Sequence, residues 1–132
     1  MSPTESDRRD YPRLKRSLPL RFKFISSAFQ DPALDRVCDG ATHNISLGGL
    51  LLVGPIPKLD WLKELLIGRI SVGVNLLLPG HEVPIKALTR VAWIEALDQE
   101  AISMRMGLRI IDIPSEQRKA LSDFLITETA VS

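Results

Sequence analysis

The chain has 132 residues, 45% of them apolar and 25% charged, a length that fits one domain and a composition that excludes a largely disordered chain. Net charge is +1, yet residues 1–23 hold seven basic and three acidic side chains while the remainder carries an excess of acid; a basic arm on a mildly acidic body points to a local anionic partner and away from long duplex DNA. A lone cysteine, Cys38, argues against a disulfide scaffold, and the lack of a signal-type apolar run or of the ~20 apolar residues that span a bilayer leads us to expect a soluble, cytoplasmic protein.

Residues 1–13 hold Pro3, Pro12, many charges and no periodicity, and read as a flexible arm. Leu14, Leu18, Leu20, Phe22 and Phe24 then alternate with polar residues, the period of a half-buried strand. Arg16 interrupts the apolar face, and Pro19 suggests an edge or a bulge. A loop over 30–40 leads to a second strand at about 41–46. A turn at Leu47-Gly48 leads to a third strand over 49–53, which Pro55 and Pro57 end. Leu59, Leu62, Leu65 and Leu66 have helical spacing, with Asp60 as a cap and Gly68 as a stop.

The clearest strand follows, with Ile70, Val72, Val74, Leu76 and Leu78 on one face. Pro79-Gly80-His81 is a turn. Val83, Ile85 and Ala87 share a face with Val91 and Trp93, and Thr89 interrupts it, as a bulge would. After the polar loop EALDQEAIS, a sixth strand carries Met104, Met106, Leu108 and Ile110. Residues 114–128 switch to helical period, with Leu121, Phe124 and Leu125 on one face and Pro114 near the start, where proline is tolerated. The expected fold is mainly β: a six-stranded antiparallel barrel with a C-terminal α-helix over 14–128, preceded by the basic arm over 1–13.

Signals for catalysis are poor. His43 and His81 are the only histidines and stand in no triad context. Cys38 and His43 supply two ligands where a zinc site needs about four. No phosphate-binding glycine motif is present. We therefore expect no enzyme, no metal and no cofactor. Two polar elements remain. Arg9 and Arg13 are spaced RxxxR in the arm, a pattern that Arg105 and Arg109 repeat within the sixth strand; alone, either pair reads as a solvated charged face. The stretch NISLGG brings Asn44, Ser46, Gly48 and Gly49 into one turn, which alone reads as a hairpin.

Taken together, RRDYPR ahead of the first strand and NISLGG about thirty residues later resemble the PilZ domain, the bacterial receptor module for cyclic di-GMP, whose motif pair is RxxxR followed by (D/N)xSxxG. The similarity continues through GRISVGVNLLLPG, IKALTRVAW and MGLRIIDIPSEQRKALSDFL, so it covers roughly residues 8–127; segment 55–69 is its least typical part. The resemblance implies a PilZ-type barrel and a cyclic di-GMP receptor. With no output domain in the sequence, such a receptor would change conformation on binding and regulate an unidentified effector protein.

The implied ligand suits these residues. A guanidinium fork matches guanine O6/N7 and phosphate oxygens in bidentate fashion, which makes Arg9 and Arg13 the expected grips. Asn44 and Ser46 share strand parity and can meet a base edge or position the arm. Gly49 leaves room for close approach to the backbone. Trp93 is either core, by its parity with Val91, or, if a bulge turns it outward, an aromatic platform. Arg8, a third arginine ahead of the pair, implies by the same resemblance two intercalated ligand molecules in place of one. The alternative is a PilZ-like adaptor that contacts proteins and binds no nucleotide; complete motifs argue against it. A barrel binding single-stranded nucleic acid would need several exposed aromatics, and aromatic residues are only 5% of the chain.

Overall fold

The computed structural model describes residues 14–28, 30–97 and 103–131. Strict alternation builds the first strand, β1 (Leu18–Ile25), which buries Leu18, Leu20, Phe22 and Phe24 and exposes the residues between them. Alternation also shapes β3 (Gly49–Pro55), β4 (Ser71–Leu76) and β6 (Ser103–Asp112), and, interrupted by register shifts, β2 (Cys38–Ile45) and β5 (Ile85–Ala96). The six strands close antiparallel in the order β1-β2-β3-β6-β5-β4. Closure leaves no unpaired sheet edge, and the inward faces meet in one apolar core that includes Ile45, Leu52, Leu76 and Met106. Each such side chain contributes about 1.5–3 kcal/mol by leaving water.

The expected architecture is the one observed; several boundaries are not. Between Leu14 and β1 the chain is not a strand: Leu14 forms an isolated bridge to Ile45, while Arg16 turns toward the C-terminal helix, pairs with Glu128 and sits 5.9 Å from the centre of the Phe124 ring. Pro19 lies at a local edge of the sheet, as expected, and not at a bulge. β4 ends at Leu76, opposite Leu20, so Pro19 stands one residue beyond it, where only β2 is a neighbour. β2 begins three residues earlier than expected.

The short helix α1 (Trp61–Leu66) buries Trp61 and Leu65, with the Trp61 ring 5.4 Å from that of Phe24. Asp60 does not cap it. Helical turning has already begun through Trp61 N–H to Lys58 O, and Asp60 has helical dihedrals, φ −61° and ψ −18°, whereas a capping residue is extended. Gly68 does stop it, at φ +83°. The closing helix α2 (Ser115–Val131) lays Leu121, Phe124 and Leu125 on the barrel. Its Gln117 Oε1 accepts the Lys86 N–H at 2.6 Å, and Pro114 at its start accepts the Arg118 N–H through its carbonyl. No helix among the described residues is long and apolar enough to cross a membrane.

Candidate functional site

The turn between β2 and β3 is organised by Ser46. Its N–H donates to Gly49 O at 2.8 Å. Its Oγ accepts the N–H groups of Gly48 and Gly49, each at 3.2 Å, and donates to Gly49 O at 3.3 Å. One hydroxyl thus satisfies two backbone donors that the tight turn leaves without strand partners. Gly49 is needed for a different reason. A Cβ there would lie 2.2 Å from Leu108 O, so the close approach it permits in this structure is that of β6.

The bridge from Leu14 lands on this turn. Leu14 N–H donates to Ile45 O at 2.9 Å and Ile45 N–H to Leu14 O at 3.0 Å. Ile45 stands between Asn44 and Ser46, and Leu14 directly follows Arg13 in the sequence. Arg8, Arg9 and Arg13 themselves lie outside the described residues.

From Asn44 a row of residues crosses three strand pairs on the outer surface. Asn44 is opposite Leu51, Leu51 opposite Gly107, and Gly107 opposite Trp93. Two irregularities put these side chains outside. In β2 a register shift at Thr42/Asn44 leaves Thr42 buried, with its hydroxyl donating to Asn44 O at 2.9 Å. In β5 a shift between Val91 and Trp93 reverses the parity: Val91 is buried, while Trp93 is 44% exposed. The core placement that parity alone allowed for Trp93 is therefore wrong, and the bulge expected near Thr89 is present as well, at Leu88/Thr89. Buried Thr89 donates its hydroxyl to Val72 O at 2.8 Å.

Trp93 rests on Gly107. A Cβ at 107 would fall 2.1 Å from the indole Nε1, so only glycine lets the ring lie against the β6 backbone. Sequence reasoning overlooked Gly107; an isolated glycine inside an alternating strand is the signal that could have found it. The Asn44 side-chain amide has no hydrogen-bond partner among the described residues, and it flanks the turn. The row thus offers an amide, a flat apolar floor and an aromatic ring, a surface suited to a planar heterocycle.

Elsewhere the chemistry is sparse. No three His, Cys, Asp or Glu residues among those described could hold a metal ion. Burial pushes the Cys38 thiol up from its ordinary range, away from reactivity. Two cavities of about 340 and 330 Å³, one beside Gly73 and one beside α1, include no residue of the row.

A family model described as PilZ domain matches residues 7–127. No curated protein sequence matches significantly. Three solved structures are similar in fold. The Bacillus subtilis inhibitor of motility MotI/DgrA has a TM-score of 0.64 at 20% identity, covering 92% of this chain but only 51% of that one, so this chain spans about half its length. The PilZ domain of CeSA from a cellulose-synthesizing bacterium has 0.54 at 14% identity, covering 89% and 97%. The PilZ domain of Escherichia coli YcgR, solved with c-di-GMP, has 0.53 at 15% identity, covering 94% of each chain.

Proposed function

The chain belongs to the PilZ domain family, and from that premise we propose that it is a cyclic di-GMP receptor whose ligand lies on the row from Asn44 to Trp93, held from the other side by Arg9 and Arg13. The observation that carries this reading is the Leu14–Ile45 bridge. It fixes the chain one peptide link after Arg13 between the two polar residues of the NxSxxG turn. Arg9, four residues before Arg13, can stand no more than about 14 Å from it. This supports a reading in which two motifs separated by thirty residues meet at one patch.

The division of labour follows from the chemistry. The arginines supply bidentate donors to guanine edges and phosphate oxygens, where a lysine would be only a point charge. Ser46, whose hydroxyl is spent on the turn, sets the shape that receives the ligand. Asn44 offers to a base edge an amide without a partner among the described residues. Trp93 offers a stacking surface worth about 1–3 kcal/mol. Two or three charge-assisted hydrogen bonds at about 1.5–3 kcal/mol each, with that stacking and less the ordering cost, reach the ~8 kcal/mol of micromolar binding. The protein acts as a binding module that regulates a partner, and ligand binding protects residues 5–15 from hydrogen exchange.

Calorimetric titration with cyclic di-GMP tests the reading. The parent protein should bind at micromolar or tighter concentrations, and Arg13→Ala should show no heat of binding. A silent parent protein overturns the proposal. Arg8 leads us to expect two ligand molecules per chain; a titration that ends at one removes that part alone.

A further inference from the structure

Beside the row lies a charge arrangement that the two motifs do not explain. Three of the outward cross-strand pairs of β5 and β6 follow one another along the row, and a fourth, Leu88 with Asp112, lies beyond the bulge at Leu88/Thr89. Arg105 faces Glu95, Gly107 faces Trp93, and Arg109 faces Arg90. The first pair is an ion pair, Nη1 to Oε1 at 3.0 Å. The second is the packed glycine–indole contact. The third sets two like charges directly opposite each other, which a sheet disfavours. Both arginines are exposed, and neither guanidinium has a hydrogen bond or an ion pair among the described residues.

Their place makes this more than an accident of surface charge. Arg109 is also the register partner of Gly49, the last residue of the NxSxxG turn. It is two residues along β6 from Gly107, so it stands between that turn and the ring of Trp93. Arg90 is outside the barrel with its Cδ, Nε and Nη1 each 3.9 Å from where a Cβ on Gly68 would be, so without ligand its guanidinium rests on the link between α1 and β4 and has to swing across β5 to join Arg109. Opposed residues on paired strands have Cβ atoms about 5 Å apart, so two guanidinium forks from this pair can converge on one tetrahedral anion.

We infer that Arg109 and Arg90 form a barrel-borne cradle for one phosphate of the ligand, in addition to the arginines of the arm. This rests on the cyclic di-GMP reading and specifies how its charge is met. The spacing of Arg105 and Arg109 said nothing at the level of sequence. Pairing separates them, because Arg105 has its own carboxylate and Arg109 has none among the described residues. With the anion absent the two like charges face each other in register without a carboxylate among the described residues; with a phosphate between the forks they would share a charge-assisted contact.

The test compares Arg109→Gln, Arg90→Gln and Arg105→Gln with the parent protein, by cyclic di-GMP titration and by thermal melting without ligand. Arg109→Gln should bind about ten-fold or more weakly, as loss of a charged hydrogen bond predicts. Its free form should melt at the same temperature or higher, because a like-charge pair has been relieved. Arg90→Gln should shift both quantities in the same directions. Arg105→Gln should stay within about threefold of the parent affinity, as an exposed and internally paired charge should. Parent-like affinity in Arg109→Gln, with the parent itself binding, overturns this inference and leaves the receptor reading standing. A parent protein that does not bind overturns both. Weaker binding accompanied by a lower melting temperature of the free Arg109→Gln protein also counts against the cradle, since Arg109 would then belong to the scaffold.

Discussion

Two faces of the barrel carry cations, and they treat them differently. On the β1 side, Arg21 faces Asp39 at 3.6 Å and Lys23 faces Asp35 at 3.8 Å, so each of these two cations beside the Gly73 groove has a carboxylate in reach. On the β5–β6 side, Arg90 and Arg109 face each other with no carboxylate partner among the described residues, next to a tryptophan laid on a glycine. Matched surface charge contributes little and asks for nothing. Mismatched charge beside an aromatic ring asks for an anion with a flat face. The sheet geometry is common to both sides; the pairing across strands distinguishes scaffold from site.

Substitution at one glycine on each side gives the largest contrast. Gly49→Ala drives a Cβ to 2.2 Å from the Leu108 carbonyl. Backbone must part there, so we expect a loss of about 3 kcal/mol or more, read as a fall in melting temperature by circular dichroism. Gly73→Ala meets the Ile25 Cδ1 at 3.0 Å, the end of a side chain that can rotate away, and should stay within about 1 kcal/mol of the parent. Equal losses would erase the distinction between a fused strand pair and an open groove.

The next effect concerns binding alone. Trp93→Ala should weaken cyclic di-GMP by about 1–3 kcal/mol, some five- to hundred-fold. It should cost the free protein only about 1 kcal/mol of stability, because the ring is 44% exposed and outside the core. A variant that binds like the parent would remove the stacking surface from the site. The smallest effect belongs to the matched face: Arg21→Ala combined with Lys23→Ala should leave stability within about 1 kcal/mol and affinity within about twofold. A large loss of affinity there would move the site to the other side of the barrel.

Much of this was written in the sequence where one residue type decides the outcome. Alternation marked every inward face of β1 and β4, and the helical spacing of Leu121, Phe124 and Leu125 marked the face by which α2 docks. The misses share a cause: register between strands is a tertiary quantity. Asp60 looked like a cap because its neighbours were read singly, but turning begins at Lys58. Trp93 stayed undecided between core and platform because parity cannot count the extra residue at Ala92. Arg109 looked like Arg105 because spacing along one strand is blind to whether Glu95 or Arg90 stands across from it. The turn itself was legible, since Asn44, Ser46 and Gly49 are local; the row that runs from it to Trp93 spans three strand pairs and no linear pattern announces it.

The two tryptophans permit a direct test of where the ligand lies. Trp61 is 3% exposed within the core and Trp93 is 44% exposed on the row. In an NMR titration with cyclic di-GMP that follows both indole N–H signals, the Trp93 resonance should move and saturate with the ligand while that of Trp61 holds its position. A Trp93 signal that stays fixed while the protein binds the dinucleotide would contradict the account, because the ligand would then occupy a surface other than the one built from Asn44, Gly107 and the two unmatched arginines.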